Sequence, residues 1–299
     1  MSTPTPSIKT AHKKTLSYTA SACCGLIAQS NVRDDLAMTP SIAFPVTRPS
    51  LALLGVEPWR AAYEFFLHQL NRGALASSGD GHPVLIFPGL GADGRLLGPL
   101  RKMCESLGYP AFDWGLGFNT GPQGDINEWL HSLAHHSSAL LRGHSQPATL
   151  IGWSLGGLYA REIAKLMPGR VRQVITIGTP FNADADHTNA GWLYKLLTGS
   201  AVDFDKKLSR RLRVAPPVPT TSIYSRSDGV VAWQSCRHPV QRAGLQDIEI
   251  SGSHIGMGWN PSVLRVVADR LAQKPGDWQP YASHFLDSHS PNFLKKDAI

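Results

Sequence analysis

Ser154 stands among glycines in the segment Gly152-Trp153-Ser154-Leu155-Gly156-Gly157. The G-x-S-x-G spacing suits a sharp strand-to-helix turn that lifts a serine hydroxyl clear of a sheet, because side chains at 152 and 156 would collide with neighbouring elements. A hydroxyl held there, at a helix N-terminus that favours developing negative charge, can attack an acyl carbon. Alone it is a weak nucleophile and needs a base, which in turn needs an orienting acid. Two downstream residues fit those roles in the order acid, then base. Asp228 lies in Ser225-Arg226-Ser227-Asp228-Gly229, and His254 in Gly252-Ser253-His254-Ile255-Gly256. His254 is expected to take the serine proton, and Asp228 to fix the imidazole tautomer and stabilise the imidazolium.

The elements around these residues explain how three distant side chains could meet. Continuous apolar runs at Val84 to Phe87, Ala148 to Trp153 and Val171 to Ile177 read as buried parallel strands. Shorter strands are expected at Ala111 to Trp114, Thr221 to Tyr224 and Asp247 to Ile250. Helical patterns fall between them, at about Arg95 to Leu107, Ile126 to Arg142, Leu155 to Met167 and Ser262 to Ala272. A first helix is expected from about Pro58 to Arg72, its apolar face formed by Trp59, Tyr63, Phe66, Leu67 and Leu70. Strands alternating with helices give an α/β fold, a mostly parallel sheet with helices on both faces. Ser154, Asp228 and His254 each follow a strand, and ligands in such sheets sit beyond the strands' carboxyl ends. The oxyanion formed on acyl attack needs preset N–H donors. The N–H groups of Leu155 and of Leu90, in Pro88-Gly89-Leu90-Gly91, are the expected pair.

That loop also reads Gly89-Leu90-Gly91-Ala92-Asp93-Gly94, a G-x-G-x-x-G match, with Asp113 closing the next strand. A dinucleotide-binding protein using Gly89, Gly91 and Gly94 is the rival reading. It leaves Ser154, Asp228 and His254 without a role.

The segments VLIFPGLGADG, TLIGWSLGGLYAR, VITIGTPF, IYSRSDGVVAW and GSHIGMGWNP resemble the α/β-hydrolase superfamily, in particular bacterial lipases and esterases. With their connections they cover about Pro83 to Leu271. The resemblance implies an α/β-hydrolase fold and ester hydrolysis through Ser154, His254 and Asp228 without a cofactor. An acyltransferase or a thioesterase would use the same residues. The chain departs from the pattern at Pro88-Gly89, where such lipases often carry His-Gly. The backbone donor survives this change.

The insertion at about 181–219 is expected to form a small helical cap, with Trp192, Leu193, Leu196 and Leu197 in one apolar group and Phe204, Leu208 and Leu212 at helical spacing. Trp153, Leu158, Trp192, Met257 and Trp259 are candidate walls for an acyl chain, so an aliphatic or lipid-like ester is the expected substrate. Lys206, Lys207, Arg210, Arg211 and Arg213 read first as a solvated face and second as a transient contact with anionic lipid. The loop cluster Asp184, Asp186 and His187 reads as hydrogen bonding rather than a metal site, and His135 and His136, being adjacent, cannot form an i, i+4 metal pair.

The 299 residues, 42% hydrophobic and 17% charged, permit a large core and exclude a mainly disordered chain. A net charge of +7 is too small and too scattered to imply nucleic acid. Cys23, Cys24, Cys104 and Cys236 lack zinc spacing and read as free thiols in a reducing compartment. The stretch Leu16 to Ala28 is too polar to make a good export signal, so a cytoplasmic location is expected. Residues 1–50 and 280–299 read as loose tails around one domain at 51–279.

Overall fold

The computed structural model describes residues 39–40, 46–70, 79–182 and 206–282. Six parallel strands form the central sheet: β2 (Val84–Phe87), β3 (Ala111–Asp113), β4 (Ala148–Trp153), β5 (Val171–Ile177), β6 (Thr220–Tyr224) and β8 (Leu245–Glu249). Their spatial order is β3-β2-β4-β5-β6-β8. The chain passes outward from β2 to β3, then returns across β2 to β4. The winding therefore reverses between β2 and β4, where open parallel sheets leave a crevice for ligands.

Alternate residues of the strands build two apolar layers. Leu85, Phe87, Leu150 and Val174 point toward α3 (Ile126–Leu140), α4 (Leu155–Leu166) and α5 (Lys206–Arg213). Val84, Ile86, Ile151 and Ile175 point toward α2 (Gly98–Ser106) and the closing helix α6 (Pro261–Ala272). Each such side chain contributes about 1.5–3 kcal/mol by burial, so the sheet is fixed from both faces. Asp125 caps α3 and Asn260 caps α6, each accepting two backbone N–H groups.

The first helix differs from its expected form. α1 spans Leu51–Leu70, with Pro58 inside it rather than in its first turn. Ser50 supplies the start, since its Oγ accepts the N–H of Leu53 at 3.2 Å. The apolar stripe is also inverted. Trp59 is 79% exposed, and Tyr63, Phe66 and Leu70 share its face, while Glu57, Ala61 and Glu64 are buried.

The described parts of both expected tails are engaged. β1 (Thr39–Pro40) pairs antiparallel with β7 (Val240–Gln241), and Thr47 Oγ1 accepts from Gln234. At the other end, Tyr281 N–H donates to Gln246 on β8. Cys104 and Cys236 are buried free thiols, and burial pushes the Cys104 thiol up to about 12. Among the described residues no helix is long and apolar enough to cross a membrane.

Candidate active site

Ser154 is the residue on which the local backbone is most constrained. Its φ of 54° and ψ of −121° make it the one non-glycine residue with positive φ among those described. The neighbouring glycines allow the turn. A Cβ on Gly152 would lie 2.3 Å from the Gly156 carbonyl oxygen, and one on Gly156 2.2 Å from that of Phe87. β4 and α4 therefore meet more tightly than any side chain permits. A non-glycine residue in such a conformation costs about 1–3 kcal/mol. With the hydroxyl removed in both cases, Ser154→Gly is expected to melt several degrees above Ser154→Ala, because only glycine relaxes here. Calorimetry giving the opposite order would refute the strain.

The strands bring the other two side chains to this serine. His254 Nε2 lies 3.1 Å from Ser154 Oγ, and Nδ1 lies 2.7 Å from Asp228 Oδ2. A carboxylate oxygen accepts, so Nδ1–H donates to it and Nε2 presents its lone pair to the serine hydroxyl. The second carboxyl oxygen, Oδ1, accepts the N–H groups of Val230 and Val231 at 2.8 and 2.7 Å. This Asx turn sets the angle at which Asp228 meets the imidazole. All three residues are buried. Burial lowers the His254 pKa, but the Asp228 charge, their hydrogen bond and the Glu57 charge outweigh it and hold the imidazole above its ordinary value.

Solved structures with the same arrangement of sheet and helices settle the architecture. The chain superposes on Aspergillus fumigatus lipase B with a TM-score of 0.51 at 17% identity, over 68% of this chain and 56% of the lipase. The chain has the α/β-hydrolase fold. A structure from the metagenome-derived lipolytic enzymes LipS and LipT aligns at a TM-score of 0.50 and 15% identity, over 65% of this chain and 93% of that one. In sequence, the chain is 29% identical over 106 residues to the pimeloyl-(acyl-carrier protein) methyl ester esterase of Shewanella woodyi, 35% of this chain and 39% of the esterase. It is 35% identical over 75 residues to the protein of the same name from Aromatoleum aromaticum, 24% of this chain and 30% of that protein. The matches thus span less than half the length of these curated relatives. No protein-family model matches the chain.

In this α/β-hydrolase fold, the loop after β2 lies against the turn that carries Ser154. A Cβ on Gly89 would come within 3.2 Å of Ser154 Cβ and 2.9 Å of the Trp153 ring. Leu90 follows in the loop, and Leu155 opens α4. The first N–H groups of a helix have no partner within it, which leaves that of Leu155 available. Asn119, which carries no motif in the sequence, holds the loop. It is fully buried, donates from Nδ2 to the Pro88 carbonyl at 2.8 Å, and accepts the Gly91 N–H on its own carbonyl at 2.9 Å.

The dinucleotide reading of the same loop is overturned. Gly94 does not open a helix, since α2 begins at Gly98. Asp113 is packed on Gly94, where a Cβ would meet its Oδ2 at 2.5 Å, and its Oδ1 accepts the Gly115 N–H. The glycines serve a close approach of β3 and a turn rather than a pyrophosphate cradle.

The candidate wall residues separate. Trp153, Leu158 and Met257 are buried in the two core layers, with Trp153 Nε1 donating to the His254 carbonyl at 3.1 Å. Trp259 borders an open groove of about 480 Å³, together with Pro58, Phe65, Leu96, Pro99 and Ile255. Trp192, the metal candidates Asp184, Asp186 and His187, and most of the expected cap lie outside the described residues. Of the cap, α5 packs Leu208 and Leu212 into the core. Its Arg211 Nε lies 3.0 Å from Glu162 Oε2, so this cation is held by the domain, while Lys207 and Arg210 are exposed. His136 donates to the Trp114 carbonyl at 2.9 Å. Arg161, fully buried on α4, donates to His238 Nε2 at 3.1 Å and to the carbonyls of Leu212 and Val214 at 3.3 Å. It fastens the helix behind the nucleophile to the chain returning from the insertion.

Proposed function

We propose that this protein is a serine carboxylic-ester hydrolase, with Ser154 as nucleophile, His254 as general base and then general acid, and Asp228 as the orienting acid. The observation that carries this reading is the unbroken chain of hydrogen-bond distances from Asp228 Oδ2 through the imidazole to Ser154 Oγ, at the reversal point of the sheet. Ser154 Oγ attacks the ester carbonyl carbon as His254 Nε2 takes its proton. The N–H groups of Leu90 and Leu155 hold the resulting oxyanion. Collapse of the intermediate expels the alcohol, which receives the proton from His254. Water activated by the same nitrogen then hydrolyses the acyl-enzyme.

The substrate class we assign is an aliphatic ester. The groove bounded by Arg95, Leu96, Ile255 and Trp259 is largely apolar, and Ile255 directly follows the base, which supports an acyl chain lying there. The curated relatives are named as esterases and the superposed structures as lipolytic, which agrees with this class.

A fluorophosphonate probe tests the mechanism. Stoichiometric labelling is expected on the peptide carrying Ser154, together with turnover of nitrophenyl esters that improves from acetyl to longer acyl chains. Absence of labelling with folded protein would remove the hydrolase reading, and a strict preference for acetyl would remove the aliphatic one. Product analysis with a competing alcohol separates hydrolysis from acyl transfer.

A further inference from the structure

We propose that α1 acts as a clasp on the reacting groups, and that Glu57 is a positioning residue whose single carboxylate holds the acid-bearing loop and the base-bearing loop in register. The inference rests on the serine hydrolase reading above.

Glu57 Oε1 accepts the N–H of Gly229 at 2.8 Å, and Oε2 accepts that of Ile255 at 3.1 Å. These are the residues directly after Asp228 and His254. The residues directly before them are held by the same helix. Arg60 donates to the Ser227 carbonyl and, at 2.7 Å, to Ser227 Oγ, while Glu64 Oε1 accepts the N–H of Ser253 at 2.6 Å. Asp228 and His254 are thus each gripped on both sides by about two turns of α1. The loops also meet through Ser225 Oγ, which donates to the Gly252 carbonyl at 2.8 Å, but that bond lies further along each loop from the reacting groups.

The glycines beside the site answer to this helix. A Cβ on Gly229 would lie 2.6 Å from the Leu53 carbonyl carbon, and one on Gly256 2.1 Å from Glu64 Oε2. Glu57 is 1% exposed. Burying a carboxylate is costly unless its charge is answered; here its two hydrogen-bond donors come from the two catalytic loops, and the Arg60 guanidinium lies 3.7 Å from Oε1. The groups facing the imidazole are the Asp228 carboxylate, the Ser154 hydroxyl and the Trp153 ring, with the Glu57 charge acting on it from α1. Glu57 therefore adds both reach and negative charge to the same side of the site.

Reach and charge can be separated in the full-length chain. Glu57→Gln keeps the volume but turns a donor toward one backbone N–H and removes the charge. It is expected to lower kcat on a nitrophenyl ester about tenfold to a hundredfold through misplacement of the base, with KM unchanged. The acid limb of kcat/KM should move to lower pH. Glu57→Asp keeps the charge and loses reach, so kcat should fall while the acid limb stays at its wild-type position. A folded Glu57→Gln enzyme with wild-type kcat and an unmoved limb overturns the proposal. If that variant melts below the assay temperature, the Glu57→Asp enzyme decides, and wild-type turnover in it overturns the proposal equally. A wild-type chain that neither turns over esters nor labels at Ser154 fails the hydrolase reading itself, and this inference with it.

Discussion

Ser154→Ala is expected to lower kcat for ester hydrolysis by about a millionfold while leaving substrate affinity nearly intact, the scale of loss when a serine hydrolase is deprived of its nucleophile. In the proposed mechanism the Ser154 oxygen forms the covalent bond, and no other side chain stands at hydrogen-bond distance from His254 Nε2 among the described residues. The proposed backbone donors, Leu90 and Leu155, would survive the change, because they do not belong to the serine side chain. A residual acceleration of about a thousandfold over water is therefore expected from oxyanion stabilisation and binding. Steady-state kinetics checks the size of the loss, and fluorophosphonate labelling should vanish in parallel. A variant that still labels at the wild-type rate would move the nucleophile elsewhere in the chain.

Asp228→Asn should cost about ten-thousandfold in kcat with the fold intact. Asparagine is isosteric, and its carbonyl oxygen can still accept from Val230 and Val231 as Oδ1 does now. Its amide nitrogen would then face His254 Nδ1 as a donor. The imidazole would carry its proton on Nε2, toward Ser154, the tautomer that cannot act as base. A second effect concerns pH. The Asp228 charge is the leading influence that raises the His254 pKa against the opposing effect of burial. Removing it should shift the acid limb of kcat/KM to lower pH, since the imidazolium loses its nearest counter-charge. In the wild type, the same limb should lie above the ordinary histidine value. A wild-type limb at or below that value would contradict the ion pair.

Much of this site was legible because each part leaves a covalent signature. The nucleophile turn needs glycine at 152 and 156 for reasons of backbone collision, and the two clashes of 2.3 and 2.2 Å show why no other residue serves. Asp228 and His254 are singled out by their place after a strand and their chain order, and the structure brings both side chains to Ser154. Three of the six strands stand out as apolar runs and three as shorter segments, and all six helices as periodic patterns, with ends displaced where capping rather than periodicity decides. α1 was misread because periodicity reports that a helix has two unlike faces but not which one faces inward. The spacing groups Trp59, Tyr63, Phe66 and Leu70 on one face without saying where that face points, and the structure turns Glu57 and Glu64 inward to meet backbone donors. Asn119 and Arg161 escaped notice because a single buried polar residue has no spacing to betray it; its role depends on chain segments that fold brings together. The G-x-G-x-x-G match misled in the other direction, since close backbone approach has more than one use.

The grip of α1 on Gly229, Ser253 and Ile255 spans 172, 189 and 198 residues of chain. A polypeptide leaving the ribosome makes this helix well before its binding partners. The sheet from β2 to β6 can assemble while the base is still untranslated, since contacts of long sequence separation form late. If Ser154, Asp228 and His254 act as proposed, a chain ending before β8 would carry a well-formed turn at Ser154 and remain unable to cleave the esters around it.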